Sequence, residues 1–91
     1  MSEPRYHRHP DLRLTSLEGE GVVLHLRERR YFTVNETGLA LLEAMRQPRS
    51  FAELVDGILS EFEVTREVAQ ATTRAFLNHC LTTAVILEEK G

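Results

Sequence analysis

Three short segments in the first third of the chain alternate between apolar and polar residues. The first, residues 11 to 17, places Leu12 and Leu14 on one face and Arg13 and Thr15 on the other. A period of two is typical of a strand with one buried face. The glycines within 18 to 21 let the chain reverse after it. Together with the similar segments 22 to 27 and 30 to 34, this pattern predicts a three-stranded antiparallel meander whose outer strands are edges.

The same alternation predicts which side chains of the second and third strands face the core. The inward set is Val22, Leu24, Leu26, Phe32 and Val34. The outward set is Val23, His25, Arg27, Tyr31 and Thr33. The last strand then leads directly into a helix, because Asn35 is a favoured N-cap residue.

Three helices follow the meander, each after a capping residue. Ser50 and Glu53 form the sequence pattern of a capping box, and Thr65 is a further N-cap. The helices are predicted over residues 36 to 46, 51 to 62 and 66 to 84, and residues 85 to 89 are predicted to be a short strand or an extended tail. The fold class is therefore α+β, a meander followed by three helices arranged much as in a winged helix-turn-helix.

The third helix has three distinct faces on a helical wheel. Its predicted core face carries Ala69, Thr73, Phe76, Leu77 and Cys80, and its wet face carries Glu67, Gln70, Arg74 and Asn78. The flank between them carries mostly small side chains, namely Val68, Ala71, Thr72, Ala75 and His79. Small residues beside a sheet edge leave a groove.

Composition limits the organisation to one domain. The chain has 91 residues, and a chain of this size builds one modest core. Residues 1 to 10 are polar and are predicted to be a flexible segment before a single domain at 11 to 91. The sequence has no apolar run long enough for a bilayer, no signal peptide and one cysteine, Cys80. These features favour a cytoplasmic protein without a membrane partner.

The residues that usually carry catalysis are not arranged for it. The four histidines lack partners at useful spacing, and His79 and Cys80 are helix neighbours that point about 100° apart. His7 and His9 could form a metal-binding pair, but no third ligand accompanies them in the sequence. No glycine-rich phosphate loop precedes a helix. We therefore expect no catalytic residues, no metal site, no cofactor and no enzymatic activity.

Nucleic-acid binding is a weaker hypothesis. The residues Arg66, Gln70, Arg74 and Asn78 on the third helix are of the types that contact base edges. A net charge of −3 argues against this role, because phosphate contacts require a basic surface. An ordinary solvated helix face is the favoured interpretation, and no nucleic-acid partner is expected.

The strand at residues 30 to 34 lacks the usual protection of an edge. It contains no proline, and its one charge, Arg30, lies at its end. An open edge beside a groove suits β-augmentation, in which an extended peptide adds a strand. The residues alone leave two other possibilities open, that residues 85 to 89 cover this edge or that a second subunit does.

The order and spacing of several motifs resemble the PqqD-like family of RiPP recognition elements. These motifs are YFTVNETGLALLEAM, SFAELVDGILSEFEVTREVAQATTRAFLNHCL and AVILEE. The resemblance as a whole covers residues 11 to 89. Ala84 departs from the glycine common there. The resemblance implies a non-catalytic domain that binds the leader of a precursor peptide between its third strand and third helix. The implied peptide-binding residues are Arg30, Tyr31, Phe32, Thr33, Val34, Val68, Ala71, Thr72, Ala75 and Phe76.

The resemblance also implies partners beyond the leader peptide. A stand-alone chain of this length is similar to the leader-binding protein of lasso peptide biosynthesis, whose partner is a leader peptidase. The alternative is PqqD proper, a peptide chaperone for a radical-SAM enzyme in pyrroloquinoline quinone biosynthesis. A winged-helix DNA-binding protein is the second alternative.

Overall fold

The computed structural model describes residues 3–89, and alternation, caps and turns account for most of its elements. In chain order these are β1 (Arg5–Arg8), β2 (Leu12–Leu17), β3 (Glu20–His25), β4 (Arg30–Val34), α1 (Glu36–Ala44), β5 (Arg49–Ser50), α2 (Phe51–Glu61), α3 (Arg66–Thr82) and β6 (Ile86–Glu89). The predicted α+β class is confirmed. No helix within 3–89 combines the length and apolar character needed to cross a membrane.

The predicted meander is present as an antiparallel sheet in the order β2-β3-β4. A two-residue turn joins β2 to β3, and both its residues have positive φ, 51° at Glu18 and 85° at Gly19. That combination matches the twist of paired strands in a tight hairpin. The turn sets the register, in which Leu14 lies opposite Val23 and Leu12 lies opposite His25.

The predicted facing of the middle strand is wrong. Val23 is completely buried and His25 is 2% exposed, whereas Leu24 and Leu26 are 39% and 45% exposed. Residues 22 to 24 are all apolar, so the local pattern does not show which of them face the core. The pairing of β3 with Leu12 and Leu14 decides this. His25 tolerates burial because its Nε2 lies 3.2 Å from the Ala84 carbonyl oxygen and its Nδ1 accepts the Glu28 N–H at 3.3 Å.

A second sheet, ordered β5-β1-β6, is not anticipated by the pattern. The sequence predicts a flexible segment over residues 1 to 10, whereas Arg5–Arg8 forms β1 between two partner strands. The backbone of β6 supplies its main partner, and Arg5 also pairs with Glu53 at 3.2 Å. Residues 1 and 2 of the predicted flexible segment lie outside the described residues, as do residues 90 and 91 of the predicted domain.

Each helix begins at the predicted cap. Asn35 Oδ1 accepts the Gly38 N–H at 2.8 Å, and Thr65 Oγ1 accepts the Val68 N–H at 3.2 Å. The capping box is complete, since Ser50 and Glu53 each accept the other's backbone N–H. At the far end, α3 stops at Thr82 and Ala84 takes a φ of 59°. This left-handed position after a helix is the one that glycine fills without strain.

One hydrophobic core joins the sheets and helices. All three helices contribute their apolar stripes, and α3 contributes the predicted face: Ala69, Thr73, Leu77 and Cys80 are each at most 4% exposed. Phe32, Val34 and Phe76 are partly buried and pack against this core. The core thus anchors the inner faces of β4 and α3 and leaves their outer flanks to solvent.

Candidate functional site

The open edge of β4 presents the main-chain groups of two residues. Leu26 donates its N–H to the carbonyl of Asp11, which lies opposite it when the register is continued, at 2.9 Å. The next pair along the two strands, Leu12 and His25, is therefore a non-hydrogen-bonded pair. Hydrogen-bonding direction alternates along a strand, so Val23 and His25 point their N–H and C=O groups toward β4. Their partners in β4, Phe32 and Arg30, point their main-chain groups toward β3.

By the same alternation, the N–H and C=O groups of Tyr31 and Thr33 point away from β3. Within residues 3–89 no strand pairs with this side of β4, because β4 is the last strand of its sheet. The C-terminal strand β6 pairs with β1 instead. Of the two coverings that the sequence leaves open, the one by residues 85 to 89 is therefore wrong, and the one by a second subunit stays untested.

A pocket of about 220 Å³ lies between β4 and α3. Its lining residues are Arg30, Tyr31, Phe32, His79 and Thr83. Three of these belong to the predicted strand half of the site, His79 lies in the last turn of α3, and Thr83 is the C-cap of that helix. A cavity of about 150 Å³ accommodates a benzene ring, so this pocket has room for one large side chain.

Two glycines shape the other end of β4, around Val34. A Cβ on Gly21 would lie 2.7 Å from the Val34 Cγ2, and a Cβ on Gly38 would lie 3.0 Å from both the Val34 Cβ and the Phe76 ring. The absence of side chains at both glycines lets the strand end, α1 and Phe76 pack together. Phe76 packs at this end of β4 and does not line the pocket, so its part in binding stays a prediction.

The other α3 residues of the predicted site are exposed. Val68 is 50% exposed, and Ala71, Thr72 and Ala75 are exposed as well. They do not line the pocket, so their part in binding stays a prediction. We call the space between the open edge of β4 and the α3 flank of Val68, Thr72, Ala75, His79 and Thr83 the β4–α3 groove.

His79 and Thr83 line the pocket but are not among the site residues implied by the resemblance. The signal for them is in the sequence, because positions 68, 72, 75, 79 and 83 follow one helical stripe at spacings of three and four. The predicted flank already carries His79, and one further turn would have added Thr83. The boundary was missed because the pattern does not show how far along α3 the strand lies.

A second pocket, of about 230 Å³, lies on the opposite flank of α3. It is lined by Pro4, Tyr6, Phe51, Arg74, Leu77, Asn78 and Leu81. Burial, and next the charge of Glu88, raise the pKa of Tyr6 there, while Arg74 acts in the opposite direction. The strand beside this pocket, β1, is already paired on both sides. The second pocket therefore lacks the open strand edge that borders the first.

The polar face of α3 is partly engaged within the protein itself. The Arg74 guanidinium lies 4.5 Å from the centre of the Phe51 ring, and Arg66 pairs with Asp56 at 3.6 Å. Two of the four residues that could contact bases thus have intramolecular partners. This arrangement favours a structural surface over a base-contacting one.

Three residues with catalytic potential, Cys80, His9 and His25, are held by burial or by hydrogen bonds within the protein. Burial raises the pKa of the Cys80 thiol to about 12, which keeps it protonated and unreactive at neutral pH. The rings of His9 and His25 contact each other at a tilt of 47°, with ring centres 4.7 Å apart, and both accept backbone N–H groups. Within residues 3–89, no three histidine, cysteine or acidic side chains come close enough together to hold a metal ion.

Two solved structures share this fold. "TbiB1 in Complex with the TbiA(beta) Leader Peptide" aligns with a TM-score of 0.80 at 21% identity, over 93% of this chain and 99% of that chain. "Lasso peptide synthetase B1 complexed with the leader peptide" aligns with a TM-score of 0.75 at 21% identity, over 90% of this chain and 96% of that chain. At this identity the similarity establishes the architecture.

Sequence comparison identifies the family. No curated protein matches the chain significantly. The sequence model described as "Coenzyme PQQ synthesis protein D (PqqD)" matches residues 20–86, from the start of β3 to the start of β6. This match includes β4, α3 and the whole β4–α3 groove. Because it spans well over half of the chain, the protein belongs to the PqqD family, as the resemblance of its motifs predicts.

Proposed function

We propose that this protein binds the leader region of a ribosomally made precursor peptide as an added strand on β4. In this role it delivers the peptide to a leader peptidase and to modifying enzymes of lasso peptide biosynthesis. The protein contributes binding and no chemistry. The two structural neighbours named above, each in complex with a leader peptide, support the comparison.

The observation that carries the proposal is the open edge of β4 beside a groove. Tyr31 and Thr33 each offer one N–H and one C=O group to an added strand. The resulting four hydrogen bonds would each contribute about 0.5–1.5 kcal/mol. Main-chain pairing of this kind gives affinity without regard to sequence, and pockets for alternate side chains supply selectivity.

The dimensions of the β4–α3 groove suit a short stretch of extended peptide. From Arg30 to Val34 the strand rises about 13 Å, at roughly 3.3 Å per residue. From Val68 to Thr83 the helix rises about 22 Å, at roughly 1.5 Å per residue. The α3 wall is therefore longer than the strand. About five peptide residues would lie along the strand, with every second side chain directed toward α3.

Reconstitution with the peptidase tests this role. The protein alone should not cleave the precursor. Added to the peptidase, it should lower the apparent KM for the precursor more than it raises kcat, because it supplies substrate binding rather than transition-state stabilisation. Cleavage of the precursor by this protein without a partner would contradict the proposal. An unchanged KM would also contradict it.

The family description favours a second candidate, a peptide chaperone for a radical-SAM enzyme in pyrroloquinoline quinone biosynthesis. Both candidates use the same groove and differ in the partner that receives the peptide. Affinity measurements against a purified lasso leader peptidase and a purified radical-SAM enzyme of the quinone pathway separate them. The lasso assignment requires tighter binding to the peptidase, in the presence of the precursor.

A further inference from the structure

One end of the β4–α3 groove is basic although the protein as a whole is acidic. The chain has 14 acidic and 11 basic residues. The pocket at this end is lined by Arg30 and His79 and by no acidic residue. The other groove residues, Tyr31 to Val34 and the small side chains of α3, carry no charge. Any fixed charge lining this groove is therefore positive.

The two basic side chains that line this pocket are available to a ligand. Within residues 3–89, the Arg30 guanidinium and the His79 imidazole take part in no hydrogen bond or ion pair. By contrast, Arg5, Arg27 and Arg66 each contact an acidic partner. The Thr83 hydroxyl is occupied, since it donates to the carbonyl oxygens of His79 and Cys80 at 3.0 and 3.4 Å.

The remaining lining of the pocket is largely aromatic. Tyr31 and Phe32 line it beside the basic residues. A ligand that fits such a pocket has an apolar stem and an anionic head. Among amino acids, glutamate has this combination, and aspartate has it with a shorter stem.

We propose that the pocket between Arg30 and His79 binds a carboxylate side chain of the leader peptide, preferably glutamate. This inference rests on the proposed function and adds a selectivity element to it. The stem of the side chain would pack on Tyr31 and Phe32, and its carboxylate would accept hydrogen bonds from Arg30 and His79. An acidic residue at one peptide position would then fix the register of the added strand.

The size of the effect follows from the exposure of the pocket. Charge-assisted hydrogen bonds are among the stronger ones, but exposed ion pairs contribute little. Arg30 is exposed in the unbound protein, and an added strand would cover part of the pocket. We therefore expect Arg30→Gln to weaken leader binding about tenfold, between these two limits.

The experiment uses a synthetic leader peptide that the wild-type protein is tested to bind, taken from a candidate lasso precursor of the same genome. A second set of peptides has each Asp or Glu replaced in turn by Asn or Gln. Calorimetry with the wild-type protein, Arg30→Gln and His79→Gln gives a double-mutant cycle for each acidic position. We expect one acidic position whose amide variant binds about tenfold more weakly to the wild-type protein and shows no further loss with Arg30→Gln.

Arg29→Gln is the matched control, because it removes the same charge from the neighbouring residue, which does not line the pocket. This variant should bind all peptides like the wild type. If all amide peptides bind the wild-type protein as tightly as the natural leader does, the carboxylate inference is wrong while leader binding stands. If the natural leader itself fails to bind, the proposed function is wrong.

Discussion

Thr33→Pro tests strand addition at the residue where the structure makes it most specific. Thr33 is exposed, and its N–H points away from β3 by the alternation established above. Proline removes that donor and places its ring where the hydrogen bond would form. The ladder between β3 and β4 uses the main-chain groups of Arg30, Phe32 and Val34, so it should persist. Proline is tolerated in a strand mainly at such an edge position.

The expected loss follows from one main-chain hydrogen bond. An acceptor left without its donor costs about 1–3 kcal/mol when it is buried. The edge of β4 is open to water on one side, so the lower part of that range applies, about 1–2 kcal/mol. Since 1.4 kcal/mol corresponds to a factor of ten, the Kd for leader peptide should rise about fivefold to thirtyfold.

Calorimetry with leader peptide measures the Kd, and thermal melts establish that each variant is folded. Ser16→Pro is the matched control, because Ser16 is exposed on the other edge of the same sheet and also points its N–H away from β3. It should leave the Kd unchanged. Thr33→Val keeps the N–H and should also bind normally. A folded Thr33→Pro protein with the wild-type Kd would refute strand addition at β4.

Three further predictions address the groove, the strand end and a helix cap. Ala75→Trp should fill the β4–α3 groove and weaken leader binding at least tenfold with little change in Tm; a folded variant that binds normally would show that Ala75 does not face the bound peptide. Gly21→Ala should lower the free energy of unfolding by about 1–3 kcal/mol, because its Cβ would overlap Val34. Gly57→Ala, with nothing within 4 Å, should instead raise it by up to about 1 kcal/mol in the same denaturant titration. Backbone hydrogen bonding from Ser50 lowers the pKa of Glu53, so its ionised form stabilises the fold above its usual pKa. Denaturant titrations should thus show Glu53→Gln destabilising the protein at neutral pH, and the difference from the wild type should disappear as the pH falls through the lowered pKa.

Many features of this fold follow from interactions between residues close together in the sequence. The caps at Asn35, Ser50 and Thr65 depend on hydrogen bonds between residues three apart, which a sequence displays directly. The core face of α3 likewise follows from helical spacing alone. The strand β4 is recognisable from the sequence because the N-cap residue Asn35 follows it directly. These features sufficed to predict the α+β fold class and an unprotected edge at residues 30 to 34.

Long-range pairing decided the remaining features. The phase of β3 depends on which residues of β2 lie opposite, since Val22, Val23 and Leu24 are equally apolar. The strand at Arg5–Arg8 exists because β6, between 78 and 84 residues further along the chain, provides its partner. His25 is buried because the distant Ala84 carbonyl accepts its hydrogen bond. None of these contacts leaves a periodic trace in the sequence.

The candidate site shows the same division between local and tertiary information. The sequence alone indicated an open strand and a flank of small residues, because charge, proline content and helical spacing are local properties. Only the packed structure decided that the strand meets the last turns of α3, which brings Arg30 and Tyr31 together with His79 and Thr83. The physical reason is geometric, because Val34 and Phe76 both pack beside Gly38 and this packing sets the position of β4 along α3. No local sequence pattern encodes that position.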